Sequence, residues 1–293
     1  MATFNDWLEG ARLRTLPAAA APVLIGAGAA HFLGEFSLVR SLMALAIALL
    51  LQIGVNFSND YSDGVRGTDE HRTGPPRLTG GGKVAPKVVL YAALGCFGVA
   101  SVLGLILLAI SGAWLLLIPG ILAVLAAWFY TGGKSPYGYM GVGLSEFFVF
   151  VFFGLMATVA TTWVQAFSAP WWLWMAAVGT GILSISLLFV NNIRDIPTDR
   201  LSNKKTLTVR MGDRASRLTY AGLVVVGTVL TGFGLVETKL MIPYLLVFVI
   251  PMFLIPRPVL RGAKGNQLLA SLRNTGLLTL FTGLFVCVGL MVS

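Results

Sequence analysis

The stretch from Leu38 to Asp63, LVRSLMALAIALLLQIGVNFSNDYSD, indicates the fold class of this chain. It contains an apolar run of the length, roughly 20 residues, that crosses a bilayer as a helix. Its polar end carries Asn59 and Asp63, which are four residues apart and therefore share one face of a helix. The stretch predicts a transmembrane helix over 38–58 that ends in a stripe of oxygen ligands.

The rest of the chain repeats this apolar pattern. Of its 293 residues, 56% are hydrophobic and 11% are charged, whereas soluble domains carry about 25% charged residues. The sequence therefore predicts one all-α integral membrane domain, 1–293, with no separate soluble domain. Nine transmembrane helices are predicted, at 15–34, 38–58, 87–111, 113–131, 142–166, 171–193, 216–236, 241–260 and 272–293.

Positive charge is distributed unevenly over the loops between these spans. Threading the nine spans leaves only Arg40 and Lys239, of 21 Lys and Arg residues, on one side of the membrane. Because basic loops remain in the cytoplasm, we expect a multi-pass protein of the cell membrane with a cytoplasmic N-terminus and an extracytoplasmic C-terminus. Orientation also accounts for most of the net charge of +9, so no nucleic-acid partner is predicted.

A second polar segment follows the sixth span and matches the first. Asn191, Asp195 and Asp199 are spaced by four residues, and Asn191 lies 132 residues after Asn59. Spans 2 and 6 would then be equivalent in a pseudo-symmetric bundle, although Pro197 weakens the helical argument for Asp199. Two such stripes on one side of the membrane can hold Mg²⁺, which prefers carboxylates, water and substrate phosphates. The alternative is a pair of polar helix ends capped by Asn and Asp.

Basic residues surround both acidic segments, about 56–87 and 191–215. Arg72, Arg77 and Lys83 lie in a loop rich in Pro and Gly that could close over a diphosphate, because Arg matches phosphate oxygens in pairs. Lys204 and Lys205 follow the second stripe and could neutralise a leaving diphosphate. For each of these cations the alternative is a charge that only orients the protein in the membrane.

At these residues the chain resembles the UbiA superfamily of intramembrane prenyltransferases, and within it the enzymes that act on 1,4-dihydroxy-2-naphthoate. Many members of the superfamily place a third Asp where this chain has Gly67, and here an acid follows at Asp69 instead. Four stretches carry the resemblance: Ala11–Ala18 (ARLRTLPA), Asn59–Asp69 (NDYSDGVRGTD), Tyr130–Gly141 (YTGGKSPYGYMG) and Asn191–Gly212.

The resemblance implies nine helices around a central cavity with cytoplasmic cap loops and a cytoplasmic active site. It implies Mg²⁺-dependent transfer of a polyprenyl group from polyprenyl diphosphate to 1,4-dihydroxy-2-naphthoate within membrane lipid. Loss of CO₂ and diphosphate would give demethylmenaquinol for menaquinone biosynthesis. The candidate residues are Asn59, Asp63, Asp195 and Asp199 for the metal, Asp60, Asp63, Asp195 and Lys134 for catalysis, and Arg14, Arg77, Tyr130, Asn191, Asn192, Lys204 and Lys205 for substrates.

Other interpretations stay open from the sequence. Another member of the superfamily could use 4-hydroxybenzoate, a phosphoribosyl group or a glycerol phosphate as acceptor. A cation-coupled transporter is the alternative of a different class, but its acids would be expected near mid-span in broken helices. Glu146, at the start of the fifth span, could orient an acceptor hydroxyl or could be a helix N-terminal acid without a catalytic role.

Overall fold

The computed structural model describes residues 2–67 and 77–293, and these residues form helices and no strand. This confirms the predicted all-α class. The α-helices are α1 Phe4–Ala11, α2 Leu16–Phe32, α3 Leu38–Val65, α4 Pro86–Ser111, α5 Leu117–Phe129, α6 Leu144–Phe150, α7 Ala157–Ala166, α8 Trp171–Leu201, α9 Leu207–Met211, α10 Asp213–Gly232, α11 Met241–Leu254, α12 Arg257–Leu260 and α13 Gln267–Met291.

Eight helical segments of the described chain are long and apolar enough to cross a membrane, so this is a multi-pass integral membrane protein. They lie where eight of the nine spans were predicted. The predicted span 113–131 contains only the shorter apolar helix Trp114–Phe129. Such a helix rises about 24 Å, against a hydrocarbon thickness of about 30 Å. The count of nine crossings therefore stays a prediction.

The two helices that carry the acidic stripes are longer than predicted. The predicted spans end at residues 58 and 193, but α3 continues to Val65 and α8 to Leu201. These boundaries were wrong because the apolar runs end before the helices do. Pro197 lies inside α8 and removes one backbone hydrogen bond without ending the helix. Both stripes thus lie on continuous helices.

The third and fourth predicted spans form a tight hairpin, as expected. Gly112 ends α4 with φ at +75° and donates its backbone N–H to the Leu108 carbonyl at 2.8 Å. Glycine takes this left-handed conformation without the steric penalty of a Cβ atom. A short 3₁₀ turn, Trp114–Leu116, then leads directly into α5.

Two local elements were not predicted. Helix α1 begins at a capping box in which the side chains of Thr3 and Asp6 each bond the other's backbone N–H. The predicted fifth span is interrupted by a π-helix, Val151–Met156, between α6 and α7. This π-helix packs against α8, so the interruption lies beside the helix that carries the second stripe.

The main apolar core lies between α2, α8, α10, α11 and α13. Each stripe-bearing helix packs along the next long helix, α3 against α4 and α8 against α10. The outer faces of α4, α5 and α11 expose many Leu, Ile and Val side chains. Exposed apolar faces of this kind suit contact with lipid tails rather than water.

Candidate active site

Asp63, near the end of α3, lies at the centre of a charged cluster. Its side chain is only 4% exposed, and Arg77 Nη1 lies 2.6 Å from its Oδ2. Lys204 Nζ lies 3.8 Å from the same oxygen, and the Tyr139 hydroxyl donates a hydrogen bond to Oδ1. Three loops therefore converge on one carboxylate. They are the loop before α4, the loop between α5 and α6 (the central loop) and the loop after α8.

The ring of Tyr139 is in contact with two cations. The Arg66 guanidinium carbon lies 5.2 Å from the ring centroid and Lys204 Nζ lies 4.7 Å from it, within the range of cation–π attraction. Arg66 also donates hydrogen bonds to the carbonyl oxygens of Thr131 and Gly133. These contacts join the end of α3 to the central loop.

Lys204 links the two acidic stripes. Burial alone would lower the pKa of Lys204, but the carboxylates of Asp63 and Asp199 outweigh burial and raise that pKa above its ordinary value. Lys204 is therefore a permanent cation between the stripes. Asp199 is buried on α8 and lies 3.5 Å from the hydroxyl of Thr206, so the stripe continues past Pro197.

Asp195 is oriented by its neighbour Arg194. Arg194 Nε and Nη2 donate to Asp195 Oδ1 and Oδ2 at 2.7 and 2.6 Å, and Nη2 also donates to Asn191 Oδ1 at 3.0 Å. Such a two-pronged contact fixes the plane of a carboxylate. Arg194 was not among the predicted site residues, although its place between Asn191 and Asp195 was a usable signal. Asn192 is buried on the same helix.

Asp60 and Asn59 hold loops against α3. The Asp60 carboxylate accepts hydrogen bonds from the backbone N–H groups of Leu78 and Thr79 at 2.9 and 2.8 Å. Because both of its oxygens already bind a backbone donor, this arrangement favours a loop-holding role over the predicted catalytic one. Asn59 Oδ1 accepts from the Thr131 hydroxyl at 2.8 Å, which fixes this candidate ligand beside Asp63.

The remaining predicted residues divide into two groups. Tyr130 is partly buried and packs its ring on Tyr137, with centroids 5.5 Å apart. Arg14, Lys134 and Lys205 have exposed side chains that form no ion pair with any residue the structure describes. The candidate Asp69 lies outside the described residues, so its relation to Gly67 stays a prediction.

A glycine allows the two loops over the site to touch. Gly141 has φ at +61°, and a Cβ atom there would lie 1.9 Å from the Lys205 carbonyl oxygen. Beside this contact, the Lys205 N–H donates to the Tyr139 carbonyl at 3.1 Å. Since only glycine fits both the backbone angle and the spacing, Gly141 positions Tyr139 and Lys204 together.

The donor set suits a metal bound together with a substrate phosphate. Among residues 2–67 and 77–293, no three His, Cys, Asp or Glu side chains converge to hold a metal by themselves. Mg²⁺ does not need such a cage, because one or two carboxylates, water and phosphate oxygens suffice. Asp63 and Asp199 offer hard oxygens around Lys204 and Arg77, and those two cations suit phosphate.

Comparison with known proteins identifies the family. The model of the UbiA prenyltransferase family matches residues 19–272. The chain belongs to this family. It is 45% identical to a 1,4-dihydroxy-2-naphthoate octaprenyltransferase of Mycobacterium tuberculosis, over 98% of this chain and 97% of that protein. The enzyme of the same name from Escherichia coli is 37% identical over 74% of this chain and 72% of its own.

Solved structures show the same fold. A UbiA homolog from Archaeoglobus fulgidus, bound to GPP and Mg²⁺, superposes with a TM-score of 0.67 at 15% identity, covering 97% of this chain and 99% of its own. An apo UbiA homolog from Aeropyrum pernix superposes with a TM-score of 0.67 at 14% identity, covering 100% and 99%. At these identities the likeness concerns the fold alone.

Proposed function

We propose that this protein transfers a polyprenyl group from polyprenyl diphosphate to 1,4-dihydroxy-2-naphthoate, with Mg²⁺, in menaquinone biosynthesis. The observation that carries the proposal is the cluster in which Arg77, Lys204 and Tyr139 surround the buried carboxylate of Asp63. The naphthoate acceptor is supported by the names of relatives that match over nearly the whole chain.

On the donor side, the site must stabilise a leaving diphosphate. Mg²⁺, when bound, supplies Lewis-acid stabilisation of the negative charge that develops on the diphosphate. Asn59, Asp63, Asp195 and Asp199 are the residues that would hold it. Arg77 and Lys204 supply permanent positive charge beside these acids, where they can bind phosphate oxygens directly.

The reaction balances without another reagent. The allylic C–O bond breaks and its electron pair leaves with the diphosphate, while the electron-rich ring forms a new C–C bond to the allylic carbon. The acceptor carboxylate departs as CO₂, and the electron pair of its bond restores the aromatic ring, giving demethylmenaquinol. Water must be excluded from the allylic cation. Leu78, which is 1% exposed and packed against Phe57, helps to close the end of α3 from water.

The charge distribution gives the proposed setting of this reaction. Loops rich in Lys and Arg would place the N-terminus and the active site on the cytoplasmic side of the cell membrane, with the C-terminus outside. The exposed apolar faces of the helices would lie in lipid, where the polyprenyl tail is also soluble. Both substrates can then meet at the membrane surface.

The test is an assay of the purified protein in detergent or nanodiscs. Mg²⁺, a labelled polyprenyl diphosphate and 1,4-dihydroxy-2-naphthoate are supplied, with 4-hydroxybenzoate in a parallel reaction. We expect a prenylated naphthoquinol from the first acceptor only, and its absence would refute the proposed acceptor. Asp63→Ala and Asp195→Ala should abolish product, whereas Glu9→Ala, an exposed acid on the same side, should not.

A further inference from the structure

Glu146, the third residue of α6, carries a buried carboxylate that the proposed reaction does not yet use. The residue is 8% exposed, and its Oε1 atom is buried with no hydrogen-bond partner among the residues described. A buried acceptor without a donor destabilises the folded protein. A carboxylate kept in such a place therefore suggests a ligand that donates the missing hydrogen bond.

The environment of Tyr130 links Glu146 to the donor cluster. Burial raises the pKa of the Tyr130 hydroxyl, Lys204 opposes this rise, and the carboxylates of Glu146 and Asp63 add to it. The same phenol thus lies within electrostatic range of Glu146 and of the cations and acids proposed to bind diphosphate. Helix α6 begins directly after the central loop, which contacts Asp63 through Tyr139, so Glu146 lies at the same end of the bundle as the donor cluster.

A chain of aromatic rings joins Tyr130 to the helix that carries Glu146. Ring contacts lead from Tyr130 to Tyr137 at 5.5 Å and from Tyr137 to Phe148 at 4.8 Å. Phe148, which lies on a different face of α6 from Glu146, also stacks on Phe152 at 6.0 Å. An apolar cavity of about 560 Å³ is lined in part by Tyr137, Phe148 and Phe152, within the range of about 300–1,000 Å³ of small-molecule sites. Ring surfaces on the helix that also carries a buried carboxylate suit a flat, hydroxylated aromatic molecule.

We propose that Glu146 binds the aromatic acceptor by accepting a hydrogen bond from one of its ring hydroxyls. The inference rests on the proposed function and extends it to the acceptor side of the site. Like charges repel, so the acceptor's own carboxylate would turn away from Glu146 and the hydroxyl toward it, which fixes the orientation of the ring. A hydrogen bond to a carboxylate also makes the phenolic ring more electron-rich at the carbon that attacks.

The experiment compares Glu146→Gln, Glu146→Asp and the control Glu35→Gln, an exposed acid at the other end of the bundle. Each is assayed with 1,4-dihydroxy-2-naphthoate and with an analogue that lacks one ring hydroxyl. We expect Glu146→Gln to lower kcat/KM for the dihydroxy acceptor about tenfold, because the Gln oxygen can still accept a hydrogen bond but carries no charge, with little change in the KM for the donor. The preference of Glu146→Gln for the dihydroxy acceptor over the analogue should fall by a similar factor. The substitution in the protein and the missing hydroxyl of the analogue affect the same contact, so their effects are not additive. Glu146→Asp should restore part of the loss, and the control should match the wild type.

Two further measurements separate the possible failures. If the wild type does not prenylate the naphthoate, the proposed function fails; if it does and Glu146→Gln keeps full acceptor kcat/KM and selectivity, this inference fails. Thermal unfolding separates a binding role from a structural one. A binding role predicts that the melting temperature of Glu146→Gln equals or exceeds that of the wild type. A lower melting temperature, together with equal losses in kcat/KM for the donor and for the acceptor, would overturn the inference. Should Glu146→Gln not fold, Glu146→Asp must itself show a selective loss in acceptor kcat/KM.

Discussion

Replacing Tyr139 by Phe would remove one hydrogen bond from the centre of the site and little else. The hydroxyl donates to Asp63 Oδ1, while the ring contacts Arg66 and Lys204. Phenylalanine retains the ring and therefore the packing of both cations. The change isolates the hydroxyl's contribution to holding Asp63 in position.

The expected loss follows from the burial of Asp63. A hydrogen bond to a charged group contributes about 1.5–3 kcal/mol, and water cannot replace the lost donor where the carboxylate is only 4% exposed. At about 1.4 kcal/mol per tenfold change, this corresponds to a loss of about 10–100-fold. Partners of metal ligands generally have effects of about this size on metal affinity or activity. We therefore expect a lower kcat/KM and a higher Mg²⁺ concentration for half-maximal activity.

A matched control is available two residues earlier in the same loop. The Tyr137 hydroxyl donates to the neutral carbonyl of Ala126 at 2.8 Å, so Tyr137→Phe removes a hydrogen bond of another kind from the same loop. It should lower the free energy of unfolding by about 0.5–1.5 kcal/mol and leave the Mg²⁺ dependence unchanged. Prenyl transfer is measured across a Mg²⁺ titration for both variants. A Mg²⁺ dependence in Tyr139→Phe equal to that of the control would refute this reasoning.

Three other outcomes are expected. Gly141→Ala should reduce prenyl transfer by tenfold or more, because the added Cβ atom would meet the Lys205 carbonyl oxygen. Gly143 also has a positive φ but has open space around it, so Gly143→Ala should retain most of the activity. Asp60→Asn should lower the free energy of unfolding by about 1–3 kcal/mol and speed proteolysis before α4, because the Asn NH₂ group leaves one of the backbone donors of Leu78 and Thr79 without an acceptor. An unchanged melting temperature would contradict this. Chelation of Mg²⁺ by EDTA should stop product formation, and excess Mg²⁺ should restore it.

The positions of the helices could be predicted because bilayer thickness sets the length of an apolar run. Their ends could not, since α3 and α8 continue through polar residues whose side chains are buried by loops. Helix α1 was foreseeable from the spacing of Thr3 and Asp6, which is a capping-box pattern. The π-helix was not, because no local sequence pattern marks it; in the structure it packs against α8.

The candidate site was predicted in part, for a similar reason. Four-residue spacing placed Asn59 with Asp63, and Asn191 with Asp195, because helix geometry alone decides which residues share a face. Partners that arrive from loops, such as Tyr139, could not be assigned in this way. Two adjacent lysines show most clearly what the sequence could not predict. Lys204 lies between the two stripes, whereas the side chain of Lys205 is exposed. Nothing in the sequence distinguishes one from the other.

The arrangement of charge explains why this site suits a metal–diphosphate complex better than a bare ion. Asp63 is already neutralised by Arg77 and Lys204, and Asp195 by Arg194. Mg²⁺ alone would have to displace these cations and leave them buried beside a new positive charge, which is costly at low dielectric. With metal and diphosphate bound together, Arg77, Lys204 and Arg194 would each exchange a carboxylate for a phosphate oxygen, and the carboxylates would be free to hold the metal. The same residues can therefore stabilise the empty fold and, after this exchange, the charge that develops on the leaving group.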